Sequence, residues 1–324
     1  SAEPLPDGTR VVTPDAPTPT PTPATGQTGT PSAAFNTGDR VFDRYLILRK
    51  IGEGGMGRVF LATDIDTHQE VALKILLPHI ASDPAMVALL QKEVATARSL
   101  PAHPNLLRIL DSHLRKDPPL VALEAATGGD LHEFWLSRSR TIPPDELAPL
   151  MEQILRGLHA LHEGRVVHQD IKPKNILMMK DGSVRIADYG ISASIKDQVR
   201  SDGASGSGTV SYMAPEQIRG EICDRRADLY ALGIMAHQLL TGTYPYTAQT
   251  EDEVIAWHNG TDRTLGNLPA PYDAVIPKLI APNPDDRFRS ALQVMEALST
   301  SEPAPSIEEP KLSEKELRTQ EELS

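Results

Sequence analysis

Apolar runs of strand length follow one another through the first part of the sequence. Residues 45–48 predict one strand, and residues 58–62, which are β-branched and aromatic, predict a second one after a glycine-rich stretch. Residues 70–77 predict a third strand, in which Lys74 stands among apolar side chains. The pattern indicates a small β-sheet, and a lone lysine there could simply reach solvent from an edge strand.

A helical period follows, from about residue 84 to residue 99. Its apolar residues recur on one face, and Glu93 falls on that same face. Burying a carboxylate is costly unless a cation meets it, and we expect Lys74 to be that cation. A salt bridge with a purely structural role is the alternative.

The second part of the chain is dominated by longer helical periods. A buried strand that begins at Leu120 breaks at Gly128 and Gly129 before a helix. Residues 147–161 repeat apolar side chains at the period of a core helix, and residues 229–240 predict another apolar helix. The sequence therefore places a mostly helical region after a sheet.

Polar side chains flank a predicted hairpin in the middle of the chain. Residues 176–179 and 184–187 are apolar runs joined through an Asp-Gly turn, which is typical of a β-hairpin. Asp170 and Asn175 precede the hairpin and Asp188 follows it, so we expect all three at one end of it. Oxygen ligands of this kind suit hard divalent cations.

A Gly-x-Gly-x-x-Gly pattern spans residues 52–57. Dinucleotide-binding folds use the same spacing, so the pattern alone is weak evidence. In those folds a helix follows the last glycine, whereas residues 58–62 predict a strand, which argues against a dinucleotide-dependent oxidoreductase. The glycines are therefore expected to cap a hairpin, where backbone without Cβ atoms can approach phosphate oxygens closely.

The order of these motifs resembles that of eukaryotic-type protein kinases. The chain has His-Gln-Asp at residues 168–170 where the family has His-Arg-Asp, Asp-Tyr-Gly at 188–190 where it has Asp-Phe-Gly, and Ala-Pro-Glu at 214–216. The resemblance covers about residues 40–298 and is strongest to bacterial serine/threonine kinases. It implies an α+β fold of two lobes, a small β-sheet lobe with one helix over a mostly helical lobe, with ATP in the cleft.

The resemblance also implies which residues form the site. Catalytic roles are expected for Asp170, Lys172, Lys74, Glu93 and Thr209. Metal binding is expected for Asn175 and Asp188. The residues expected to bind ATP come from the glycine-rich stretch, the strand of Lys74 and the segment between the lobes: Ile51, Gly52, Glu53, Gly54, Gly55, Met56, Gly57, Val59, Ala72, Lys74, Leu123, Glu124 and Ala126. In this interpretation Lys74 holds the α- and β-phosphates, Lys172 the γ-phosphate and Asp170 the acceptor hydroxyl.

Other residues are expected to support the site. The resemblance implies that His168 is a hydrogen-bonded core histidine, that Asp228 braces the catalytic loop, and that Glu216 pairs with Arg287. Tyr189 fills a position for an aromatic or large apolar side chain, provided that its hydroxyl finds a partner.

Gln169 is the sharpest departure from the family pattern. Many relatives have an arginine immediately before the catalytic aspartate, and its guanidinium can pair with a phosphate on the activation segment. Glutamine offers no charge for such a phosphate. We therefore expect that activity does not depend, through Gln169, on phosphorylation of Ser201, Ser205 or Ser207.

Composition gives three predicted regions and few constraints on partners. We predict a disordered Pro/Thr-rich tether over residues 1–37, a kinase domain over 38–299 with lobes at 38–126 and 127–299, and an acidic tail over 300–324. The formal net charge of -12 argues against nucleic acid as a partner. The single cysteine and the lack of an apolar membrane-spanning run predict a cytoplasmic chain, trimmed from a longer protein.

Two functions remain open on these grounds. The first is a serine/threonine protein kinase that uses ATP and Mg²⁺, with Mn²⁺ as a second option, and acts on protein substrates and on itself. The second is a pseudokinase that binds ATP as a scaffold without turnover. Pseudokinases commonly lack at least one of the groups of the site, and the first function is favoured because all are present here: Lys74, Glu93, Asp170, Lys172, Asn175 and Asp188. The oligomeric state cannot be derived from the sequence.

Overall fold

The structure, a computed structural model, describes residues 35–189, 210–261 and 263–299. All of them lie within one unit of the chain, Ala34–Ser324. In this part of the chain an antiparallel sheet precedes a helical region, which confirms the predicted two-lobed α+β fold.

The sheet has six strands in the order β1-β2-β3-β4-β6-β5, and all neighbours are antiparallel. Its strands are β1 (Arg40–Val41), β2 (Tyr45–Gly54), β3 (Gly57–Asp64), β4 (Gln69–Leu76), β5 (Ile109–His113) and β6 (Leu120–Glu124). The predicted glycine-capped hairpin is present as β2 and β3. β2 is longer than the predicted 45–48, because Gly52 and Gly54 still pair with Val59 and Gly57 of β3.

Two contacts of the described chain involve residues just before the first strand. The ring of Phe35 meets that of Phe60 edge to face, with the ring centroids 6.0 Å apart. The hydroxyl of Thr37 donates to the carbonyl of Leu48 at 2.9 Å. These contacts attach residues 35–37 to the sheet, although they lie in the stretch that composition assigns to the tether.

The helix beside the sheet has the bounds that the sequence predicts. A short α1 (Pro78–Ala81) leads to α2 (Pro84–Ser99), and the Asp83 side chain caps α2 by accepting hydrogen bonds from two backbone N–H groups. Met86, Leu90 and Ala97 are buried, and so is Glu93. The prediction that Glu93 faces inward is confirmed.

The rest of the described chain is mostly helical. Its helices are α3 (Leu131–Ser137), α4 (Pro144–Glu163), α5 (Pro215–Ile218), α6 (Arg225–Thr241), α7 (Glu251–Asn259), α8 (Tyr272–Leu279) and α9 (Ala291–Ser299). The predicted hairpin forms as β7 (Ile176–Met178) and β8 (Val184–Ile186). The core of this region is built largely on α4 and α6, and β7 and β8 pack into it.

Candidate active site

A cleft of about 700 Å³ runs from the β2–β3 hairpin to the loops around β7 and β8. Every residue that the sequence suggests for ATP binding lines this cleft, and so do Asp170, Lys172, Asn175 and Asp188. Thr209 lies outside the described residues. The cleft therefore collects the predicted nucleotide and metal residues in one place, while their roles remain predictions.

Asp170 is held by two neighbours from its own loop. Lys172 Nζ lies 3.0 Å from Oδ1 of Asp170. Asn175 donates its amide to the other carboxylate oxygen at 3.0 Å and to the Asp170 carbonyl at 2.7 Å. The carboxylate is thus fixed in orientation at the edge of the cleft, as a group that positions an acceptor hydroxyl would need to be.

Lys74 makes an ion pair that the sequence did not predict. Its ammonium lies 2.6 Å from Oδ1 of Asp188, across 114 residues of chain. Lys74, Glu93 and Asp188 also line a mainly apolar cavity of about 60 Å³ behind the main cleft. Both carboxylates therefore lie in the surroundings of Lys74, and the expected partnership with Glu93 stays a prediction.

His168 connects the two aspartates of the site through the backbone. Its Nδ1 accepts a hydrogen bond from the N–H of Asp170 at 3.2 Å, so Nε2 carries the proton. That Nε2–H donates to the carbonyl of Ala187, next to Asp188, at 2.9 Å. The ring is buried, which confirms the prediction of a hydrogen-bonded core histidine.

Asp228 braces the catalytic loop from α6, as predicted. It is fully buried and accepts hydrogen bonds from the N–H of His168 at 2.9 Å and of Gln169 at 2.7 Å. His162, at the end of α4, adds a third contact at 2.8 Å from its Nε2. Sequence reasoning missed His162, because its position in the helix gives no sign of a partner 66 residues away.

Tyr189 finds the hydroxyl partner that its burial requires. The hydroxyl donates to the carbonyl of Leu107 at 2.6 Å, in the segment that connects α2 to β5. Burial raises the pKa of Tyr189 to about 12, so the hydroxyl stays protonated at neutral pH. The side chain thereby anchors the residue after Asp188 to the segment that precedes β5.

We expect Tyr189→Phe to retain activity close to that of the unchanged chain and to lower the free energy of unfolding. The ring still fills the volume, while the Leu107 carbonyl loses its donor, at a cost of roughly 1–3 kcal/mol. Initial rates and thermal unfolding of the two proteins check this. A complete loss of activity would mean that the hydroxyl has a chemical role.

A buried ion pair secures the segment after the site. Arg287 donates to both carboxylate oxygens of Glu216, at 2.7 and 2.8 Å, and the two residues are 2% and 4% exposed. Arg287 also donates to the carbonyls of Ala281 and Pro282. The predicted pairing of Glu216 with Arg287 is confirmed.

The end of β6 continues into a short ladder with β7. The N–H of Gly128 donates to the carbonyl of Met178 at 3.0 Å, and the N–H of Met178 donates to the carbonyl of Gly129 at 2.9 Å. A Cβ on Gly128 would lie 2.7 Å from the Met178 carbonyl oxygen, so only glycine permits this approach. Glu124 and Ala126, expected at the adenine, immediately precede this ladder.

Asp130 and Glu133 also line the cleft, and sequence reasoning missed both. Asp130 caps α3 by accepting from the N–H of Glu133 at 2.8 Å, and Glu133 reaches back to the N–H of Asp130. Burial raises the pKa of Asp130. The Asp-x-x-Glu spacing before an apolar helix is a capping-box signal that could have placed them.

Glu53, near the end of β2 in the glycine-rich stretch, contacts two cations of the β2–β3 hairpin. Lys50 of β2 and Arg58 of β3 both donate to its carboxylate, and the hydrogen bond from Lys50, followed by that from Arg58, lowers the pKa of Glu53. The carboxylate is therefore ionised at neutral pH, and its contacts join the two strands of the hairpin over the cleft.

Comparisons with known proteins agree with this geometry. The serine/threonine-protein kinase PrkC of Bacillus subtilis is 33% identical over 277 residues, which are 84% of this chain and 42% of that protein. The serine/threonine-protein kinase PknB of Mycolicibacterium smegmatis is 30% identical over 271 residues, 80% of this chain and 43% of that protein. The chain thus spans less than half of the length of these relatives.

A solved structure gives the same result for the fold. The kinase domain of Mycobacterium tuberculosis PknI superposes with a TM-score of 0.63 at 26% identity, covering 82% of this chain and 99% of that domain. In the described part of the chain no helix is long and apolar enough to cross a membrane. The family model for the protein kinase domain matches residues 45–301, and the chain belongs to the protein kinase family.

Proposed function

We propose that this chain transfers the γ-phosphoryl group of ATP to serine and threonine hydroxyls of proteins, including its own. The observation that carries the proposal is the convergence of Lys74, Asp170, Lys172, Asn175 and Asp188 on one cleft. Two relatives that are 33% and 30% identical to this chain are named serine/threonine-protein kinases, which supports the acceptor type.

The chemistry asks for positioning and neutralisation of charge more than for covalent catalysis. Asp170, oriented by Lys172 and Asn175, would accept the hydrogen bond of the acceptor hydroxyl and take up its proton. Lys172 lies beside that carboxylate and would contact the transferred phosphoryl group. Lys74, on β4, would bind the α- and β-phosphates in place of its contact with Asp188.

The residues present fit Mg²⁺. Asn175 uses its amide nitrogen on Asp170, so the amide oxygen is the atom available to a cation. The Asp188 carboxylate is 40% exposed and lines the cleft. One carboxylate, one amide oxygen and phosphate oxygens are the kind of ligand set that Mg²⁺ accepts, and the bound cation would neutralise phosphate charge.

The alternative is an ATP-binding scaffold without turnover. One measurement distinguishes the scaffold from the kinase: the transfer of labelled phosphate from ATP to a generic protein substrate in the presence of Mg²⁺. Binding of ATP without any transfer, in protein that is folded by thermal unfolding, would establish the scaffold. Transfer that depends on Mg²⁺ supports the kinase.

We expect phosphoserine and phosphothreonine as products, with little phosphotyrosine. The reason is Lys172, two residues after Asp170, which matches the serine/threonine branch of the family. Acid hydrolysis of the labelled substrate and separation of the phosphoamino acids measure this. A product consisting mainly of phosphotyrosine would overturn the assignment of the acceptor.

A further inference from the structure

The side chain of Gln217 joins two parts of the backbone that are far apart in sequence. It lies in α5, and its Oε1 accepts from the N–H of Ala214 at 3.1 Å. Its Nε2 donates to the carbonyl of Gln169 at 3.0 Å, across 48 residues of chain. One neutral amide therefore connects the backbone before α5 to the residue immediately before Asp170.

The chemistry of the two contacts fixes the orientation of this amide. The N–H of Ala214 needs an acceptor and the carbonyl of Gln169 needs a donor, and only the observed orientation supplies both. The reverse orientation would set two donors against each other at Ala214 and two acceptors at Gln169. Gln217 is half-buried, so water competes only partly for these contacts.

The backbone of Gln169 is unusual and is held from both sides. Its φ angle is 62°, in the left-handed region that residues other than glycine rarely adopt. Its N–H donates to Asp228 of α6 at 2.7 Å, and its carbonyl accepts from Gln217 of α5. Such a conformation persists only where the surroundings hold it, and here two helices do so.

The carbonyl held by Gln217 belongs to the peptide whose N–H is that of Asp170. That N–H donates to His168 Nδ1 at 3.2 Å, so both ends of the peptide have a fixed partner. Rotation of this peptide would move the Asp170 carboxylate relative to the cleft. Displacement of a reacting group by about 1 Å can lower a rate by about a hundredfold.

We propose that Gln217 is a positioning residue for phosphoryl transfer: it holds the Gln169 carbonyl and thereby orients Asp170. The inference rests on the proposed kinase function. The link needs neither a charge nor a phosphate, which agrees with the uncharged side chain at residue 169. Asp228 and Gln217 together fix the loop through backbone groups.

The test uses Gln217→Glu. A carboxylate still accepts from Ala214, but it cannot donate to Gln169 and sets a negative charge against that carbonyl. We expect kcat to fall about 10- to 100-fold, with the KM for ATP changed less than about twofold. All proteins are treated with phosphatase before the assay, so that differences in phosphorylation do not contribute.

Gln293→Glu is the matched control. The side chain of Gln293 in α9 accepts from the N–H of Arg289 at 2.9 Å, which is the same kind of contact, but within the Arg289–Gln293 turn and, in the described part of the chain, without a link to the catalytic loop. This variant should keep the kcat of the unchanged chain. A comparable fall in both variants would show that the effect is not specific to the link with Gln169, and would overturn the inference.

A pH profile separates positioning from a general loss of structure. The protonated form of the introduced carboxyl group can donate to the Gln169 carbonyl, and its population grows as pH falls toward a pKa of about 4.3. The kcat of Gln217→Glu relative to the unchanged chain should therefore rise between about pH 8 and about pH 5.5. A constant ratio contradicts the inference.

The outcomes distinguish this inference from the proposed function. If the unchanged chain transfers no phosphate, the proposed function fails. If it does so and folded Gln217→Glu has the same kcat, only the positioning role fails. If Gln217→Glu does not fold, Gln217→Met decides: a folded protein with lowered kcat supports positioning, and a second unfolded protein shows a structural role instead.

Discussion

Asp170→Asn should lower the rate of phosphoryl transfer by roughly 10²–10⁴-fold, the usual contribution of a general base. The amide cannot take up the proton of the acceptor hydroxyl. It also turns an NH₂ group toward Lys172 or Asn175, both of which donate to the carboxylate in the structure. ATP binding, measured by a fluorescent nucleotide or by calorimetry, should stay nearly unchanged, because Asp170 is expected at the hydroxyl and not at the nucleotide.

Asp181→Asn serves as the control for the loss of one negative charge. Asp181 lies in the turn between β7 and β8, where it accepts from Ser183, and asparagine can accept in the same way. Its rate should match that of the unchanged chain. If Asp170→Asn also turned over at nearly that rate, the assignment of Asp170 would be wrong.

Arg287→Met should destabilise the protein by about 3–5 kcal/mol, because it leaves the Glu216 carboxylate buried without its cation. The pair is almost fully buried, and both of its hydrogen bonds are shorter than 3 Å. For a domain of this size the loss corresponds to roughly 6–20 °C in Tm. Calorimetry or circular dichroism on heating measures the shift.

An exposed ion pair nearby provides the comparison. Arg226 and Asp285 lie 2.6 Å apart, but Asp285 is 80% exposed. Asp285→Asn should therefore change stability by less than about 0.5 kcal/mol. The double variant Glu216→Leu with Arg287→Met should recover part of the loss, since no buried charge remains. Equal effects of Arg287→Met and Asp285→Asn would contradict the importance of burial.

Local patterns in the sequence were enough to predict most elements that carry the site. The helix over residues 84–99 has a clear apolar period, and Asp83 marks its start with a side chain that caps it. The β7–β8 hairpin has two apolar runs and an Asp-Gly turn. These elements could be predicted because the deciding interactions lie within a few residues.

The helices near the C-terminal end of the described chain were not predicted, and their sequences explain why. α8 contains Pro277, which interrupts the usual helical signal. α7 begins with a capping box formed by Thr250 and Glu253, a local signal that sequence reasoning overlooked. In α8 the low helix propensity of proline conflicts with the observed helix, whereas the start of α7 could have been predicted from its capping box.

Some contacts between distant elements, such as Glu216 with Arg287, were implied by the family resemblance, whereas others could not be predicted. Lys74 contacts Asp188, and the Tyr189 hydroxyl contacts the Leu107 carbonyl. Both contacts depend on how the loop after β8 packs against residues that are distant in sequence. Gln217 gave no sequence signal, since its partner is a backbone carbonyl and any residue offers one. Motif order pointed to residues that line one cleft, whereas the contact of Lys74 with Asp188 required coordinates.

The ladder between residues 128–129 and Met178 connects the segment expected to bind the adenine to the loop that carries Asn175. It joins the stretch expected to read the adenine edge to the strand that begins directly after Asn175, through main-chain hydrogen bonds alone. These main-chain hydrogen bonds do not involve the side chains of Leu123 or Ala126, so substitutions at those two residues leave the bonds themselves in place. If ATP binds as proposed, changes at Leu123 or Ala126 should alter which bases are accepted and leave Asn175 and Asp188 in their present positions. Base specificity could therefore change in this family without a change in the residues expected to bind the metal.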